Sequence, residues 1–246
     1  MRWALVAATA CSFRAGIVGP GDAPGVAADV PDAAPDAAIP CVEQIVARHA
    51  STCAVRGDGT LWCWGSNVFG QLGDGTATSH ATPTQVPFGG RFVSIALGGR
   101  ATYAIDDTGA LYAWGANDYG QLGDGTTNPH ASPAVVPDLS GVTQICAGQA
   151  HACAVADGEI WCWGRNDYGQ LGDGTVNDRP SPIQLAAGIQ VACGGLTTCV
   201  LAADHSVSCT GRNHLGELGD GTTTSRATLV IRALSCRPAR RAGASS

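Results

Sequence analysis

A thirteen-residue segment recurs four times along the chain. Trp64-Gly65-Ser66-Asn67-Val68-Phe69-Gly70-Gln71-Leu72-Gly73-Asp74-Gly75-Thr76 is the first copy. Further copies begin at Trp114, Trp163 and Thr210, at spacings of 50, 49 and 47 residues. A period of this size built from short strands implies a propeller or a solenoid, in which each unit buries its apolar faces against its neighbours. The positions held across the copies are Gly65, Asn67, Gly70, Gly73, Asp74 and Gly75 in the first and Gly115, Asn117, Gly120, Gly123, Asp124 and Gly125 in the second. Gly164, Asn166, Gly169, Gly172, Asp173 and Gly174 follow in the third, and Gly211, Asn213, Gly216, Gly219, Asp220 and Gly221 in the fourth. These are turn residues, and we read them as builders of the fold.

The intervening sequence fills in the unit. After each of the first three motifs comes a Pro-containing edge segment, such as Thr82-Pro83-Thr84-Gln85-Val86 or Ser181-Pro182-Ile183-Gln184-Leu185. A short β run follows, such as Val142-Thr143-Gln144-Ile145-Cys146, and then a hairpin around a turn such as Asp157-Gly158. Pro suits an edge strand because it cannot donate to a ladder. Four short strands per unit make one propeller blade. With 34 Gly and 13 Pro the chain is a poor candidate for a helical bundle. The expected fold is all-β, a propeller-type array of four blades, each of about 49 residues and four strands.

The W-G-x-N-x-x-G-Q-L-G-D-G-T motif, preceded by a C-A-V-x-x-D-G-x-L-W-C-W-G hairpin, resembles the repeat of the regulator of chromosome condensation family. The resemblance covers about residues 42–235. It implies a β-propeller, usually of seven blades in that family. Its named eukaryotic member is a guanine nucleotide exchange factor on chromatin, while most relatives use the propeller as a binding platform. This chain differs in having four repeats, Cys-rich hairpins and an export-like N-terminus.

Asp74, Asp124, Asp173 and Asp220 each sit in Leu-Gly-Asp-Gly-Thr. A calcium loop needs several oxygen ligands at alternating positions, and each loop here offers one carboxylate. The preferred reading is a tight turn in which Asp caps its own backbone. Phe69, Tyr119, Tyr168 and Leu215 share one motif position. Between sugar binding and packing between blades, the in-register Leu favours packing. Of the six His, only His80 and His130 fall at comparable positions. No catalytic, metal or cofactor residues are assigned. All 14 basic residues are Arg, which excludes Lys-dependent chemistry. Five Arg and no acid lie between Arg226 and Ser246, so from a net −6 the remainder carries −11. A body that acidic is a poor nucleic-acid ligand.

Eleven Cys without any C-x-x-C pair favour disulfides in an oxidising compartment over zinc. Counting outward from Asp157-Gly158 places Cys153 opposite Cys162 as a closely spaced antiparallel pair. The same logic pairs Cys53 with Cys63 and Cys199 with Cys209, while in the second repeat both Cys are replaced together, by Tyr103 and Ala113. Cys146 and Cys193 stay unassigned. Residues 1–11 read as a signal segment, with Ala8-Thr9-Ala10-Cys11 resembling a lipoprotein box in which Cys11 is lipidated; a misplaced start codon is the alternative account of its shortness. Residues 12–40, rich in Pro, Ala and Asp, read as a disordered tether, 41–236 as the repeat domain and 237–246 as a basic tail.

Arg226-Ala227-Thr228-Leu229-Val230 aligns with the Pro-headed edge that the first unit lacks in this reading. Supplying it would close a ring, and Cys41 could then bridge to Cys236. An open arc, or a ring completed by two chains, is the rival arrangement. The expected function is a non-enzymatic scaffold of the bacterial cell envelope, lipid-anchored or secreted. It would present loops to an unidentified protein or surface polymer and use no cofactor. The alternative is an exchange factor for a small GTPase, as in the family's named member.

Overall fold

The computed structural model describes residues 40–232. Cys11, Cys236, the tether apart from Pro40, and the basic tail lie outside them. The described chain forms sixteen strands in four antiparallel sheets of four, each from one contiguous stretch. The first blade comprises β1 (Val42–Arg48), β2 (Ser51–Arg56), β3 (Leu61–Gly65) and β4 (His80–Gln85). The second comprises β5 (Phe92–Leu97), β6 (Ala101–Asp106), β7 (Leu111–Gly115) and β8 (His130–Val135). The third comprises β9 (Val142–Ala147), β10 (His151–Ala156), β11 (Glu159–Gly164) and β12 (Arg179–Ala187). The fourth comprises β13 (Gln190–Cys193), β14 (Thr197–Leu201), β15 (Val207–Gly211) and β16 (Arg226–Arg232).

The strand that follows each motif loop, Pro-containing in the first three blades, is the last of its blade. It pairs back onto the hairpin that precedes it, with Gly65 opposite His80 and Gly211 opposite Arg226. The first blade is therefore complete, and Arg226–Arg232 completes the fourth blade. This corrects the expected unit boundary and the expected closure by the chain ends. The cause is the motif loop, whose internal hydrogen bonds turn the chain back on itself. Asn67, fully buried, accepts from Leu72 N at 2.8 Å and donates to Asp74 Oδ1 and the Thr76 carbonyl, each at 3.1 Å. Asp74 Oδ1 in turn accepts from the Thr76 amide and hydroxyl, both at 2.9 Å.

Three apolar cores fill the three junctions between successive blades. Leu72, Phe92 and Trp114 belong to the first, Tyr103, Leu122 and Trp163 to the second, and Leu171, Val191 and Val200 to the third. The central strands β6 and β10 are buried along their whole length because a blade covers each face. In β2 and β14 burial is partial, since those sheets belong to the ends of an open arc. Gly73 shows how tightly the blades meet. It has φ +77°, and a Cβ there would lie 2.5 Å from Trp114 Nε1.

Cys53–Cys63, Cys153–Cys162 and Cys199–Cys209 are disulfides across the hairpins, each with Cα atoms 4.1 Å apart. Asp157 and Gly158 both have positive φ, as a two-residue hairpin turn of the I′ type requires. A fourth bond, Cys146–Cys193, joins the innermost strands of the third and fourth blades. Cys41 is exposed and unbonded among the described residues.

Candidate functional site

The turns joining the first and second strands of successive blades gather at one end of the array. His49 comes from the first, Gly99 and Arg100 from the second, Gln149 and Ala150 from the third. With Asp118, Tyr119, Gln121 and Arg165 from the motif loops they line a cleft of about 200 Å³. A second hollow shares Gln149 and continues along the fourth blade past Leu196, Thr197, Arg212 and Glu217. Together they form a polar rim groove crossing several blades.

Backbone geometry fixes these turns. Gly99 N donates to the Gln149 carbonyl at 3.0 Å, and Gln149 N donates to the Gly195 carbonyl at 2.8 Å, so consecutive turns are laced together. Beneath them Arg48 reaches from the first blade to the carbonyls of Leu97 in the second and Ala147 in the third. Burial lowers the pKa of its guanidinium. His151 is buried below the groove with Nε2 3.1 Å from Thr198 Oγ1. Its pKa is pushed down to about 4 by burial, with the neighbouring Arg48 charge adding to the effect.

The groove presents cations held against aromatic faces. The Arg100 guanidinium lies 4.5 Å from the Phe69 ring centre, and that of Arg165 4.9 Å from the Tyr119 ring centre. Arg165 also pairs with Asp167 at 2.6 Å. Such stacking holds a guanidinium in place while leaving its N–H edge able to donate to carbonyl or carboxylate oxygens. The shared aromatic position is thus an inter-blade contact on the rim, each ring meeting a polar side chain of the following blade. Tyr168 continues the series with His214, ring centres 5.6 Å apart. Leu215 has no such contact and is 83 % exposed.

The four Asp of the motif stand away from this groove chemistry. His80 Nε2 and His130 Nε2 contact the second oxygens of Asp74 and Asp124 at 2.6 and 2.7 Å, and in the later blades Arg179 and Arg226 take that place against Asp173 and Asp220. For Asp74, Asp124 and Asp173, burial raises the pKa but is outweighed by hydrogen bonds from the following Thr, the His or Arg, and the motif Asn, so each lies below the usual carboxylate range. These carboxylates lock the turn, and no cluster of metal-ligating side chains occurs among the described residues.

Sequence reasoning missed the rim groove and the Cys146–Cys193 bond. Arg100, Gln149 and Arg165 lie outside the fixed motif positions and are brought together by the arc. The repeat itself was the available signal, since a turn between first and second strands recurs in each blade and must converge at one end.

The family model described as "Regulator of chromosome condensation (RCC1) repeat" matches residues 58–105, 108–155 and 157–201. A second model of that description matches 92–121, 142–170 and 189–217. Among solved structures, human WBSCR16 superimposes with a TM-score of 0.71 at 20 % identity, covering 77 % of this chain and 52 % of the other. Prp20p from Saccharomyces cerevisiae, whose binding properties to Gsp1p and histones accompany its structure, gives 0.68 at 22 % identity, covering 78 % and 52 %. Yeast RCC1 (Prp20) bound to Kap60 gives 0.66 at 22 % identity, covering 78 % and 50 %. The chain spans about half the length of these structures, and at such identities the likeness concerns the fold.

Proposed function

The chain belongs to the regulator of chromosome condensation (RCC1) repeat family, and from that premise we propose that it is a non-enzymatic binding protein of an oxidising compartment, engaging a protein partner through the rim groove. The observation that carries this is the set of stacked guanidiniums. Arg100 and Arg165 are held by rings from preceding blades and face a cleft lined by backbone-bonded turns. Rigid donors on a scaffold suit recognition of an extended acidic or polar segment, because little ordering entropy is lost on binding. Protein binding by the yeast relatives supports a protein over a small molecule. The four disulfides support export, since cytosolic thiols stay reduced. The bacterial envelope, with Cys11 as a lipid anchor, is the location we propose.

Two measurements test the reading. Mass spectrometry of the mature protein reports N-terminal processing and lipidation together, and an unprocessed cytosolic chain with reduced Cys would contradict export. Affinity capture by the wild type, lost with Arg100→Ala and Arg165→Ala combined, locates binding in the groove. Acceleration of nucleotide release from a small GTPase would replace this reading with exchange activity.

A further inference from the structure

The three internal junctions use one set of contacts. The preceding blade contributes a close-approach glycine. A Cβ on Gly70, Gly120 or Gly169 would lie 2.7, 2.4 or 2.3 Å from the Cα of Ala131, Pro180 or Ala227 on the last strand of the following blade. Two residues past the third motif Gly, the amides of Gly75, Gly125 and Gly174 donate to the carbonyls of those same three residues. At the inner strands of the first and third junctions, the Gln44 amide grips Ile95 N and O, and the Gln144 amide grips Val191 N and O, while the second junction carries Ser94 at that position.

The fourth blade carries the preceding half of this set with no other described residue packed against it. Gly221 has no heavy atom within 4 Å of its would-be Cβ, and Gly216 meets only an oxygen of its own loop, at 3.8 Å. Gln190, in register with Gln144, is exposed, as is Leu215. The first blade carries the following half. Ile45 is 63 % exposed where its counterpart Ile95 is 3 % exposed. Trp64 is half-buried where Trp114 and Trp163 are wholly buried, and Ala81, the counterpart of Ala131, is exposed. Val42, Ala54, Trp62, Trp64 and Pro83 border an apolar hollow of about 250 Å³ on this face.

We propose that the first blade of one copy docks on the fourth blade of a second copy, reproducing the internal junction between chains. The occupant is assigned by complementarity. Each uncovered face lacks what the other supplies, namely Gln190 for the Ile45 backbone, Gly221 N–H for the Ala81 carbonyl, and Gly216 for the Ala81 backbone. The contact is heterologous, so two copies joined at both ends close a ring, and other closures give larger arrays.

Sedimentation equilibrium of the full chain tests this. Wild type is expected to show species of at least twice the 24.8 kDa chain mass, with the fraction rising with concentration. Ala81→Arg and Leu215→Arg, both at exposed sites, should each reduce self-association at least tenfold while leaving circular dichroism and melting of the monomer unchanged. Mixed together, the two variants should recover association, because each retains the half the other has lost. A wild type that stays monomeric to about 100 μM, well above the Kd of specific complexes, would overturn the proposal and leave the faces to another protein. So would variants that associate like wild type, or a mixture that fails to recover, since a symmetric face-to-face dimer gives no complementation.

Discussion

The indole Nε1 of Trp114 donates to the backbone carbonyl of Gln71 at 3.0 Å, across the junction between the first two blades. Trp163 repeats the contact with the Gln121 carbonyl at 2.8 Å. In the fourth blade Thr210 stands in the Trp position, and its hydroxyl lies 2.8 Å from the Gly169 carbonyl across the junction and 2.8 Å from the Arg226 carbonyl of its own blade, sharing one proton between them. A smaller side chain thus keeps a polar tie between blades while giving up most of the ring's buried area. Trp114→Ala or Trp163→Ala should cost about 3–5 kcal/mol, chiefly through the cavity, since the Gln71 and Gln121 carbonyls each keep a second donor, the Thr102 and Tyr103 hydroxyls. Trp64→Ala, on a half-exposed face, should cost below about 2 kcal/mol in dilute protein. Urea midpoints of the three variants check the order.

Asn117 is fully buried and both ends of its side-chain amide are hydrogen-bonded. Its Oδ1 accepts from Leu122 N at 2.9 Å, and its Nδ2 faces Asp124 Oδ1 and the Thr126 and Asn128 carbonyls. Asn117→Ala leaves a buried amide unsatisfied and should cost about 2–4 kcal/mol. Asn117→Asp is nearly isosteric, yet it aims a carboxylate at another carboxylate and two carbonyls. It should be the worse of the two, a ranking that chemical denaturation reads directly.

The Cys146–Cys193 bond spans 47 residues, against 9 or 10 for the hairpin bonds. In the chain-entropy model closing the longer loop stabilises by about 4 kcal/mol and a hairpin loop by just under about 3. The double variant Cys146→Ser with Cys193→Ser should therefore melt below that of Cys53→Ser with Cys63→Ser. Non-reducing peptide maps of the wild type should show all four pairs.

What the sequence reveals here depends on how local each determinant is. The pairing of Cys153 with Cys162 follows from the two-residue turn between them, so counting outward suffices. The placement of the Pro strand does not, because the decision lies in the loop where Asn67, Asp74 and Thr76 close on one another and return His80 to Gly65. Cys146 and Cys193 sit one register step apart on neighbouring inner strands, Cys146 opposite Cys153 and Cys193 opposite Thr198. Only the stacking angle of two blades brings their sulfurs together. The rim groove is less legible still, since Arg100 and Arg165 gain meaning from the rings of preceding blades.

Acidification should act on His151 before it acts on the carboxylates. The imidazole is buried, and its folded pKa of about 4 lies below the 6.5 of a solvated histidine. Folding therefore favours the neutral ring, and below pH 6.5 the unfolded chain binds a proton that the folded chain refuses. The stability tied to this group is intact above about pH 6.5 and declines as pH falls toward 4, by up to about 3 kcal/mol. Asp106 and Asp124, both held below the usual carboxylate range, have the same sign but a lower window. Their contribution is present above about pH 4 and is lost only as they protonate beneath it. His151→Gln should therefore flatten the stability profile between pH 6.5 and 4 and leave the steeper fall below 4 in place. Urea unfolding at half-unit pH steps separates the two windows. A wild-type profile already flat from 6.5 to 4 would show that the ring is hydrated in the folded protein.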